Sequence, residues 1–551
     1  MKKIFFLFLF GLLVVSCARV GSPNGGAKDT IPPKMLSSNI DTTRVNVPTT
    51  LKELRINFDE YIKLKDINKN LIISPPIKNI KKILPANLGT KFLSIQWSDT
   101  LKANTTYNFN FGNSITDLNE ANPLPYFNFA FSTGSEIEDN YISGTLIDAL
   151  GEKKSEGKDV NYVVGLYQVK DSMDYRQKPY YITNVDPDGY FELNYLSPGK
   201  YKILAFEDLN QNSIFDNGKE KFAFSKDVIN IEDKKNISGM KIKLFPSKPA
   251  VKYKEYKQTN GGLVLIYDGK PEKVEVSSAS PNLTDFKVTH QAKSDSVYVW
   301  FDAVAQKIGV EKSDNVKLAA KTSVKTDTIS TYYKYDPKVE MTLASTGEKV
   351  LPPNTVFKIK SNFALSEIQS DKWKLTSDSI SQSFTASISK TNSEDIIVNS
   401  DFKVGKSYQL SIPKETVKSF YKSIAKSYRL DFEIGKPADY GSLKVEILNP
   451  PTSHFWLQLL NEKGDVMYQE YTKGSQVHFT NLKPADYFLR ILVDNNDDGY
   501  WETSSFTENR YAEDVYLFKK GKDQNPMTKV NIRPMWEINE KWDLNAETQG
   551  N

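Results

Sequence analysis

The sequence is poor in the residues from which metal centres and nucleophilic sites are usually built. It has one cysteine and three histidines among 551 residues. His290, His454 and His478 lie in separate segments of strand pattern, without the spacing of a zinc site. The sequence also lacks a Gly-x-Ser-x-Gly nucleophile elbow and a glycine-rich phosphate loop. We therefore predict a protein that is not an enzyme, with an unrecognised hydrolase as a distant alternative.

A large excess of one charge and a long apolar run are also lacking. Lys and Arg number 72 against 68 Asp and Glu, and the two signs alternate along the chain, so no nucleic-acid partner is expected. The single apolar run of note, Ile4 to Val15, falls short of the roughly 20 residues that span a bilayer. Because Lys2 and Lys3 precede it, we predict a secretory signal peptide over residues 1–16.

The cysteine that follows this run is the predicted membrane anchor. Val14-Val15-Ser16-Cys17 resembles the bacterial lipobox, in which the cysteine is diacylated and becomes the mature N-terminus. As the sole cysteine, Cys17 has no partner for an intramolecular disulfide. We expect lipidation at Cys17, and several acyl chains make such attachment effectively permanent. The alternative is an incidental cysteine at the end of an ordinary signal.

The residues after Cys17 bear on localisation. Ala18-Arg19-Val20 lacks the Asp that resembles an inner-membrane retention signal, and it lacks the acidic cluster that resembles the Bacteroidetes surface-export signal. The prediction is an outer-membrane lipoprotein that faces the periplasm, with the cell surface as the alternative. The Gly, Ser, Asn and Pro-rich stretch that follows is typical of a flexible tether.

The remaining chain has the pattern of an all-β protein. Aromatic residues make up 12% of the sequence, and short segments alternate apolar and polar side chains, which is typical of strands with one buried face. Examples are Leu54 to Phe58, Tyr107 to Phe111 and Phe127 to Phe131. Many such strands at short spacing predict tandem β-sandwich domains, and the length suggests four or five of them.

Two internal repeats indicate duplicated domains. In the first, a Leu-x-Pro-x-x-Tyr segment and the polar loop after it return 286 positions later; the matched residues are Leu196, Pro198, Tyr201, Asp208, Asn210, Asn212 and Phe215 with Leu482, Pro484, Tyr487, Asp494, Asn496, Asp498 and Trp501. In the second, at an offset of 301, the matched residues are Tyr107, Phe109, Phe129 and Phe131 with Tyr408, Leu410, Leu430 and Phe432.

The first repeated unit carries a family resemblance. Pro32-Pro33-Lys34, Phe58-Asp59-Glu60-Tyr61, Asn104 to Asn113 and Phe131-Ser132-Thr133-Gly134 together resemble the SbsA-type bacterial Ig-like domain found in Bacteroidetes lipoproteins. The units with the Leu-x-Pro-x-x-Tyr turn resemble the transthyretin or carboxypeptidase-regulatory-like sandwich. The resemblance implies no catalytic residues, because members of this lipoprotein family carry none that are established.

These observations divide the chain into eight predicted segments. They are a signal peptide (1–16), a tether (17–32), an SbsA-type Ig-like domain (33–134), a transthyretin-like sandwich (135–246), a β domain of uncertain type (247–336), a degenerate Ig-like domain (337–436), a second transthyretin-like sandwich (437–535) and a C-terminal tail (536–551). Prolines near the joints predict a semi-rigid rod.

The best candidate for a binding site is the pair of polar loops in the first repeat. Oxygen-bearing side chains at alternate positions resemble the first half of a calcium loop; the candidate ligands are Asp494, Asn496, Asp498 and Glu502 in one copy and Asp208, Asn210, Asn212 and Asp216 in the other. Ser505 and Lys219 stand where an EF-hand has its bidentate Glu, so calcium would need further ligands. The alternative is a hairpin loop satisfied by its own Asn and Asp side chains.

The predicted function is that of a lipid-anchored structural or interaction protein, a scaffold or accessory subunit of an envelope assembly or secretion complex that docks other envelope proteins. The alternative is a surface module that binds glycans or host components, which the tryptophans and the Ig-like units favour. Most of the tryptophans are expected in the core, because an alternating strand buries half of its residues. The candidates for stacking on sugars are Trp300, Trp373, Trp456, Trp501, Trp536 and Trp542.

Overall fold

The computed structural model describes residues 29–151, 160–170, 175–232, 235–259, 261–291, 293–520 and 527–545. Cys17 and the signal peptide lie outside the described residues. Within them the chain forms five successive pairs of β-sheets, each pair enclosing its own core of buried apolar side chains. The prediction of an all-β chain of tandem sandwiches is confirmed. None of the helices in the described ranges is long and apolar enough to cross a membrane.

The first sandwich packs sheet β1-β2-β5-β4, with β7 on the end of β2, against sheet β3-β6-β8. Its inward aromatic side chains, such as Phe109 and Phe131, come from alternate strand positions. Its elements are β1 (Met35–Ser38), β2 (Glu53–Leu64), the short helix α1 (Ile67–Asn70), β3 (Ile72–Ser74), β4 (Ile80–Leu84), β5 (Thr90–Trp97), β6 (Thr106–Gly112), β7 (Ile115–Asp117) and β8 (Phe127–Ser132).

The second sandwich packs sheet β11-β10-β13-β14, with β15 beside β13, against sheet β12-β9-β16. Strand β16 runs parallel to β9, whereas the other pairings are antiparallel. Its strands are β9 (Asn140–Asp148), β10 (Tyr162–Gln168), β11 (Tyr181–Asn184), β12 (Tyr190–Leu196), β13 (Gly199–Glu207), β14 (Phe222–Phe224), β15 (Ile229–Ile231) and β16 (Ile237–Leu244).

The third sandwich packs sheet β17-β18-β21-β20 against sheet β19-β22-β23. Phe301 and Tyr333 meet edge to face in its core, with ring centroids 4.9 Å apart. Its strands are β17 (Lys252–Thr259), β18 (Gly262–Asp268), β19 (Glu275–Ser278), β20 (Lys287–His290), β21 (Ser296–Trp300), β22 (Asp314–Lys321) and β23 (Thr326–Tyr333).

The fourth sandwich packs sheet β24-β26-β31-β30 against sheet β25-β34-β32-β28-β29, with the pair β27-β33 at one end. Its elements are β24 (Leu343–Ser345), β25 (Val350–Leu351), β26 (Phe357–Ser361), β27 (Leu365–Ile368), the 3-10 turn Ser370–Lys372, β28 (Lys374–Ser377), β29 (Ile380–Gln382), β30 (Thr385–Ile388), β31 (Asp395–Asn399), β32 (Ser407–Ile412), β33 (Val417–Ser419), β34 (Tyr428–Ile434) and the 3-10 turn Pro437–Asp439 that leads to the next sandwich.

The fifth sandwich has the strand topology of the second. Its strands are β35 (Gly441–Leu448), β36 (His454–Leu460), β37 (Val466–Thr472), β38 (Gln476–Leu482), β39 (Ala485–Asp494), β40 (Val515–Leu517), β41 (Lys529–Ile532) and β42 (Glu537–Asp543). They form the sheets β37-β36-β39-β40, with β41 beside β39, and β38-β35-β42, again with one parallel pair. Tyr201 and Tyr487 each donate a hydrogen bond over 2.9 Å to a backbone carbonyl four residues earlier, so the two copies share local detail as well.

The fifth sandwich extends past residue 535, where a tail over 536–551 was predicted. Strand β42 pairs in parallel with β35 along its whole length, and Trp542 lies buried in the core against Phe518. The segment resembles a tail in sequence because Glu537, Asn539 and Lys541 place polar side chains at alternate positions. Those positions form the solvent face of an edge strand.

The prediction of a semi-rigid rod is wrong. Five sandwiches in a row would keep the second and the fifth apart, but here the fifth folds back and contacts the second. It also reaches the third sandwich, where the Lys293 ammonium lies 3.2 Å from the Asp498 carboxylate. Sandwiches two to five therefore form a closed body. The prolines at the joints control only the local path of the chain and do not determine these distant contacts.

Candidate functional site

The contact between the second and fifth sandwiches, here called the seam, is built around one phenylalanine. Phe506 lies in the long loop between β39 and β40, in an otherwise polar stretch. Its ring centroid is 4.8 to 6.0 Å from four aromatic rings of the second sandwich: Tyr175, Phe215, Phe222 and Phe224. Edge-to-face contacts of this kind add specific stabilisation to the apolar area they bury. Phe506 is thus the anchor of the seam.

Polar contacts surround this aromatic anchor. The Thr503 hydroxyl donates to the Pro246 carbonyl over 2.5 Å, and the Arg490 guanidinium donates to the Leu150 carbonyl over 3.2 Å. The Tyr511 hydroxyl accepts the backbone N–H of Lys226 over 2.8 Å. These bonds satisfy backbone groups of the second sandwich with side chains of the fifth, and so they fix the orientation of the two bodies.

Both predicted calcium loops lie beside the seam, and each is folded around its own side chains. In the loop after β13, the Asp208 and Asn210 oxygens both accept the N–H of Asn212, over 3.0 and 3.1 Å. The second Asp208 oxygen accepts the N–H of Ser213, and Asn212 accepts that of Ile214. Asp208 is buried, so these bonds replace the water that its carboxylate gives up.

The loop after β39 repeats this arrangement bond for bond. The Asp494 and Asn496 oxygens both accept the N–H of Asp498 over 3.1 Å, and Asp494 also accepts the N–H of Gly499 over 2.6 Å. Asp498 in turn accepts the N–H of Tyr500. One contact is added here, because the Tyr471 hydroxyl donates to Asp494 over 2.6 Å. Asp494 is fully buried.

Each loop is closed by a buried glutamate that sequence reasoning missed. Glu220 accepts the N–H groups of Leu209 and Asp216, at the two ends of the first loop. Glu513 accepts those of Asn495 and Glu502, which are the equivalent positions of the second.

Burial, and to a lesser degree the nearby charges of Asp208 and Asp216, raises the pKa of Glu220. Burial likewise raises the pKa of Glu513, together with the charges of Asp494 and Glu502. Because the second loop is longer, Glu513 falls out of register with Glu220 in an ungapped comparison. In the sequence, the feature that could have identified both glutamates is an acidic residue just before the edge strand, β14 or β40.

The remaining predicted ligands point to other partners. Glu502 forms an ion pair with Arg510 at 3.3 Å, and Asp498 pairs with Lys293 of the third sandwich. In the first loop, Asp216 accepts a hydrogen bond from the Asn210 amide over 2.9 Å. In the ranges that the structure describes, no three His, Cys, Asp or Glu side chains come together as a metal-binding group. Calcium binding by either loop stays a prediction.

Calorimetric titration of the full mature chain with calcium tests that prediction. If the loop after β39 takes the ion, we expect binding heat and a rise in melting temperature, since the charge repulsion that helps to raise the pKa of Glu513 would be relieved. Both signals should disappear when Asp498 is replaced by alanine. No heat and no melting shift with the unsubstituted chain would refute the prediction.

Replacing Asp494 with alanine is expected to lower the free energy of unfolding by about 1 to 3 kcal/mol in the absence of calcium. The part-buried N–H of Gly499 and the Tyr471 hydroxyl lose their acceptor, and the N–H of Asp498 keeps only Asn496. Asn496→Ala is the control within the same loop, since Asn496 is exposed and shares its single backbone donor with Asp494. Equal losses in urea denaturation of the two variants would contradict the role assigned to Asp494.

An exposed acid on the same loop is held differently. Asp497 accepts hydrogen bonds from the backbone N–H of His454 and from the His454 ring nitrogen, over 3.0 and 2.9 Å, and Lys473 lies 3.0 Å away. These contacts, that of the His454 backbone first, hold the pKa of the Asp497 carboxyl well below its usual range. His454 therefore ties the start of β36 to the loop. Among the residues that the structure describes, His454 belongs to no group of His, Cys, Asp and Glu side chains that could hold a metal ion.

Of the six tryptophans considered as candidates for stacking on sugars, three are buried in cores. Trp300, Trp373 and Trp542 are buried. Trp456 and Trp501 are half-buried, and their indole N–H groups donate to the carbonyls of Gly499 and Glu513, so both hold the second polar loop in place. Trp536 is 54% exposed, with the Arg533 guanidinium over its ring at 5.2 Å.

Comparison with protein families identifies the first sandwich. Residues 29–133 match the family model described as a bacterial Ig-like domain. The Ig-like resemblance of this region is thereby confirmed at the level of an Ig-like β-sandwich. No curated protein sequence matches the chain significantly.

Three proteins are among the solved structures that match the chain in a structural comparison. The S-layer protein SbsC is 12% identical, covers 89% of this chain and 67% of its own, and has a TM-score of 0.15. The major pilin subunit BcpA of Bacillus cereus is 9% identical, with 74% and 99% covered and a TM-score of 0.13. SGBP-B of the Bacteroides ovatus mixed-linkage glucan utilization locus, in complex with a heptasaccharide, is 10% identical, with 70% and 94% covered and a TM-score of 0.19. Likenesses this distant carry no conclusion about function.

Proposed function

We propose that the protein is a non-enzymatic, lipid-anchored interaction protein of the outer membrane, which acts as a scaffold or accessory subunit of an envelope assembly. The proposal rests on one observation. Nearly the whole described chain folds into five sandwiches, and the first of them matches a bacterial Ig-like domain. Ig-like and other sandwich domains commonly present edges and loops to partners from a rigid support.

The closed body supports a scaffold role in particular. In a loosely jointed chain the spacing of the binding surfaces varies. Here the seam fixes the second sandwich against the fifth, and the Lys293–Asp498 ion pair joins the fifth to the third. The first sandwich is not part of the closed body, and it is the sandwich nearest in sequence to the predicted anchor at Cys17. It is joined to the second by the hydrogen bond from the Ile182 N–H to the Ser74 hydroxyl.

Purification of the full lipoprotein from gently solubilised membranes tests this function. The expected result is co-purification with the same envelope proteins in repeated preparations, and release of a Cys17→Ala variant from the membrane fraction into the periplasmic extract. Labelling with radioactive palmitate is expected in the unsubstituted chain and not in the variant. Recovery of the protein alone, under conditions that preserve known membrane complexes, would contradict the scaffold proposal.

A surface glycan-binding role is the second candidate, and the exposed Trp536 is the observation that favours it. Its ring is accessible and adjacent to the 79% exposed Met535 on the turn before β42. Protease treatment of intact cells distinguishes the two candidates. Protection of the chain supports the periplasmic scaffold, whereas degradation, together with glycan binding lost in Trp536→Ala, supports the surface role.

A further inference from the structure

A groove at the junction of the first and second sandwiches has an apolar floor. Its volume is about 510 Å³, and it is open to solvent. Six partly buried apolar side chains of the first sandwich line it: Ile67, Leu71, Ile73, Ile77, Ile80 and Ile83. Pro179 and Ile182 of the second sandwich complete the far side. We call this surface the isoleucine groove.

Strand edges border the isoleucine groove. Strand β4 pairs only with β5, and β3 pairs only with β6, so each ends its sheet. On an edge strand, every second residue directs its backbone N–H and C=O away from the sheet. Strand β11 of the second sandwich is also an edge, and the Ser74 hydroxyl already accepts its Ile182 N–H over 3.2 Å. The outer edge of β4 has no strand partner in the described part of the chain.

Lysines surround the groove without acidic partners. Lys81 and Lys82 on β4 and Lys178 on the second sandwich line it, and Lys78 and Lys102 stand nearby at the same junction. Among the residues that the structure describes, no carboxylate lies within ion-pair distance of any of these five ammonium groups. Burial, followed by repulsion from Lys170 and Lys78, lowers the pKa of Lys102. Between residues 63 and 91 the chain has seven lysines and a single acid, Asp66, although its overall charge is nearly balanced.

The three features favour one kind of occupant. An open strand edge offers backbone hydrogen bonds to an extended polypeptide, an apolar groove takes up its alternate side chains, and uncompensated lysines attract acids. A second copy of this chain that paired through β4 would bring Lys81 and Lys82 against their own counterparts, which disfavours it. A lipid would use the charge and the apolar floor but not the open backbone edge.

We infer that the isoleucine groove binds an acidic, extended segment of a partner protein, which adds as a strand to the free edge of β4 and places alternate apolar side chains among the isoleucines. This inference rests on the proposed interaction function and names the site and the partner chemistry. Strand addition gives affinity through backbone bonds, and the lysines and the groove select the sequence.

Binding of a designed peptide tests the inference without knowledge of the partner. The probe is a fluorescent peptide of about nine residues that alternates valine and glutamate, a length within the usual range of strands. Fluorescence anisotropy with the full mature chain should show saturable binding that weakens as salt is added. An analogue with lysine in place of glutamate, and one N-methylated along a single edge, should each bind at least about tenfold more weakly.

Two double variants of the protein, which change its net charge by the same amount, test the role of the lysines in the groove. In Lys81→Glu/Lys82→Glu, we expect affinity for the acidic peptide to fall at least about tenfold and affinity for the lysine analogue to rise. The control, Lys241→Glu/Lys243→Glu, alters two lysines on another edge strand, β16, and should bind as the unsubstituted chain does. Circular dichroism and melting curves establish that both variants are folded.

Three results would overturn the inference. They are equal peptide affinity in the two double variants, undiminished binding of the N-methylated analogue, and lysine-dependent binding of phosphatidylglycerol vesicles without peptide binding. The last result would assign the groove to a lipid surface. These failures differ from failure of the proposed function. If the Lys81→Glu/Lys82→Glu variant still co-purifies with the same envelope proteins, the scaffold role stands and only the assignment of the groove is wrong.

Discussion

Replacement of Phe506 by aspartate is expected to separate the fifth sandwich from the second. The ring packs against four aromatic rings across the seam, and a carboxylate in that cluster would lose both the apolar contact and its own hydration. The combined loss is about 3 kcal/mol or more. The remaining seam contacts include the ring pairs Phe224–Tyr511 and Phe245–Trp501 and a few hydrogen bonds. Since Phe506 alone contacts four rings, we expect its loss to open the contact. Small-angle scattering is expected to report a larger radius of gyration.

Thr507→Asp is the control for this experiment. It introduces the same charge one residue later in the same loop, where the side chain is exposed. The control should keep the radius of gyration and the melting curve of the unsubstituted chain. If Phe506→Asp and Thr507→Asp scatter alike, the aromatic cluster does not hold the seam.

Truncation after residue 535 is expected to unfold the fifth sandwich. The cut removes β42, which pairs along its length with β35, and it removes Trp542 from the core beside Phe518. Loss of a buried tryptophan alone costs about 3 to 5 kcal/mol, and the lost strand leaves further apolar surface open to water. Stability of this order is comparable with that of a whole small domain.

Calorimetry and limited proteolysis measure the effect of the truncation. The expected result is loss of one unfolding transition and rapid cleavage within 437–535, while the first sandwich remains protected. Truncation after residue 545 is the control, because it keeps β42 and Trp542. If the chain that ends at 535 melts as the control does, then β42 is dispensable and the predicted boundary at 535 was the better one.

Local features of the fold follow from local sequence. The alternation in Tyr107 to Phe111 predicts a strand with one buried face, and this segment lies within β6. The tyrosines that recur at offsets of 286 and 301 residues occupy matching positions, and Tyr107 and Tyr408 each accept a backbone N–H from five residues earlier. Such features depend on contacts within a few residues, and an ungapped comparison detects them.

Features that depend on distant contacts were not predictable in this way. Phe506 lies in a mainly polar loop that also holds Trp501 and Tyr511, and nothing nearby in sequence indicates that it meets Phe215 of another sandwich. Glu513 was missed for a different reason, because a longer loop shifts it out of the repeat. The isoleucine groove is likewise visible only after folding, when α1, β3 and β4 bring their partly buried side chains to one junction.

The central structural claim is that the chain folds back so that its duplicated sandwiches pack together. Cys17 is the sole cysteine, so replacing it with serine and introducing cysteines at the exposed positions Lys219 and Asn509 gives one specific pair for spin labels. Pulsed electron spin resonance on this chain should yield a single narrow distance distribution, which becomes longer and broader when Phe506→Asp is added. A broad, long distribution in the chain that retains Phe506, unchanged by the substitution, would contradict the closed body.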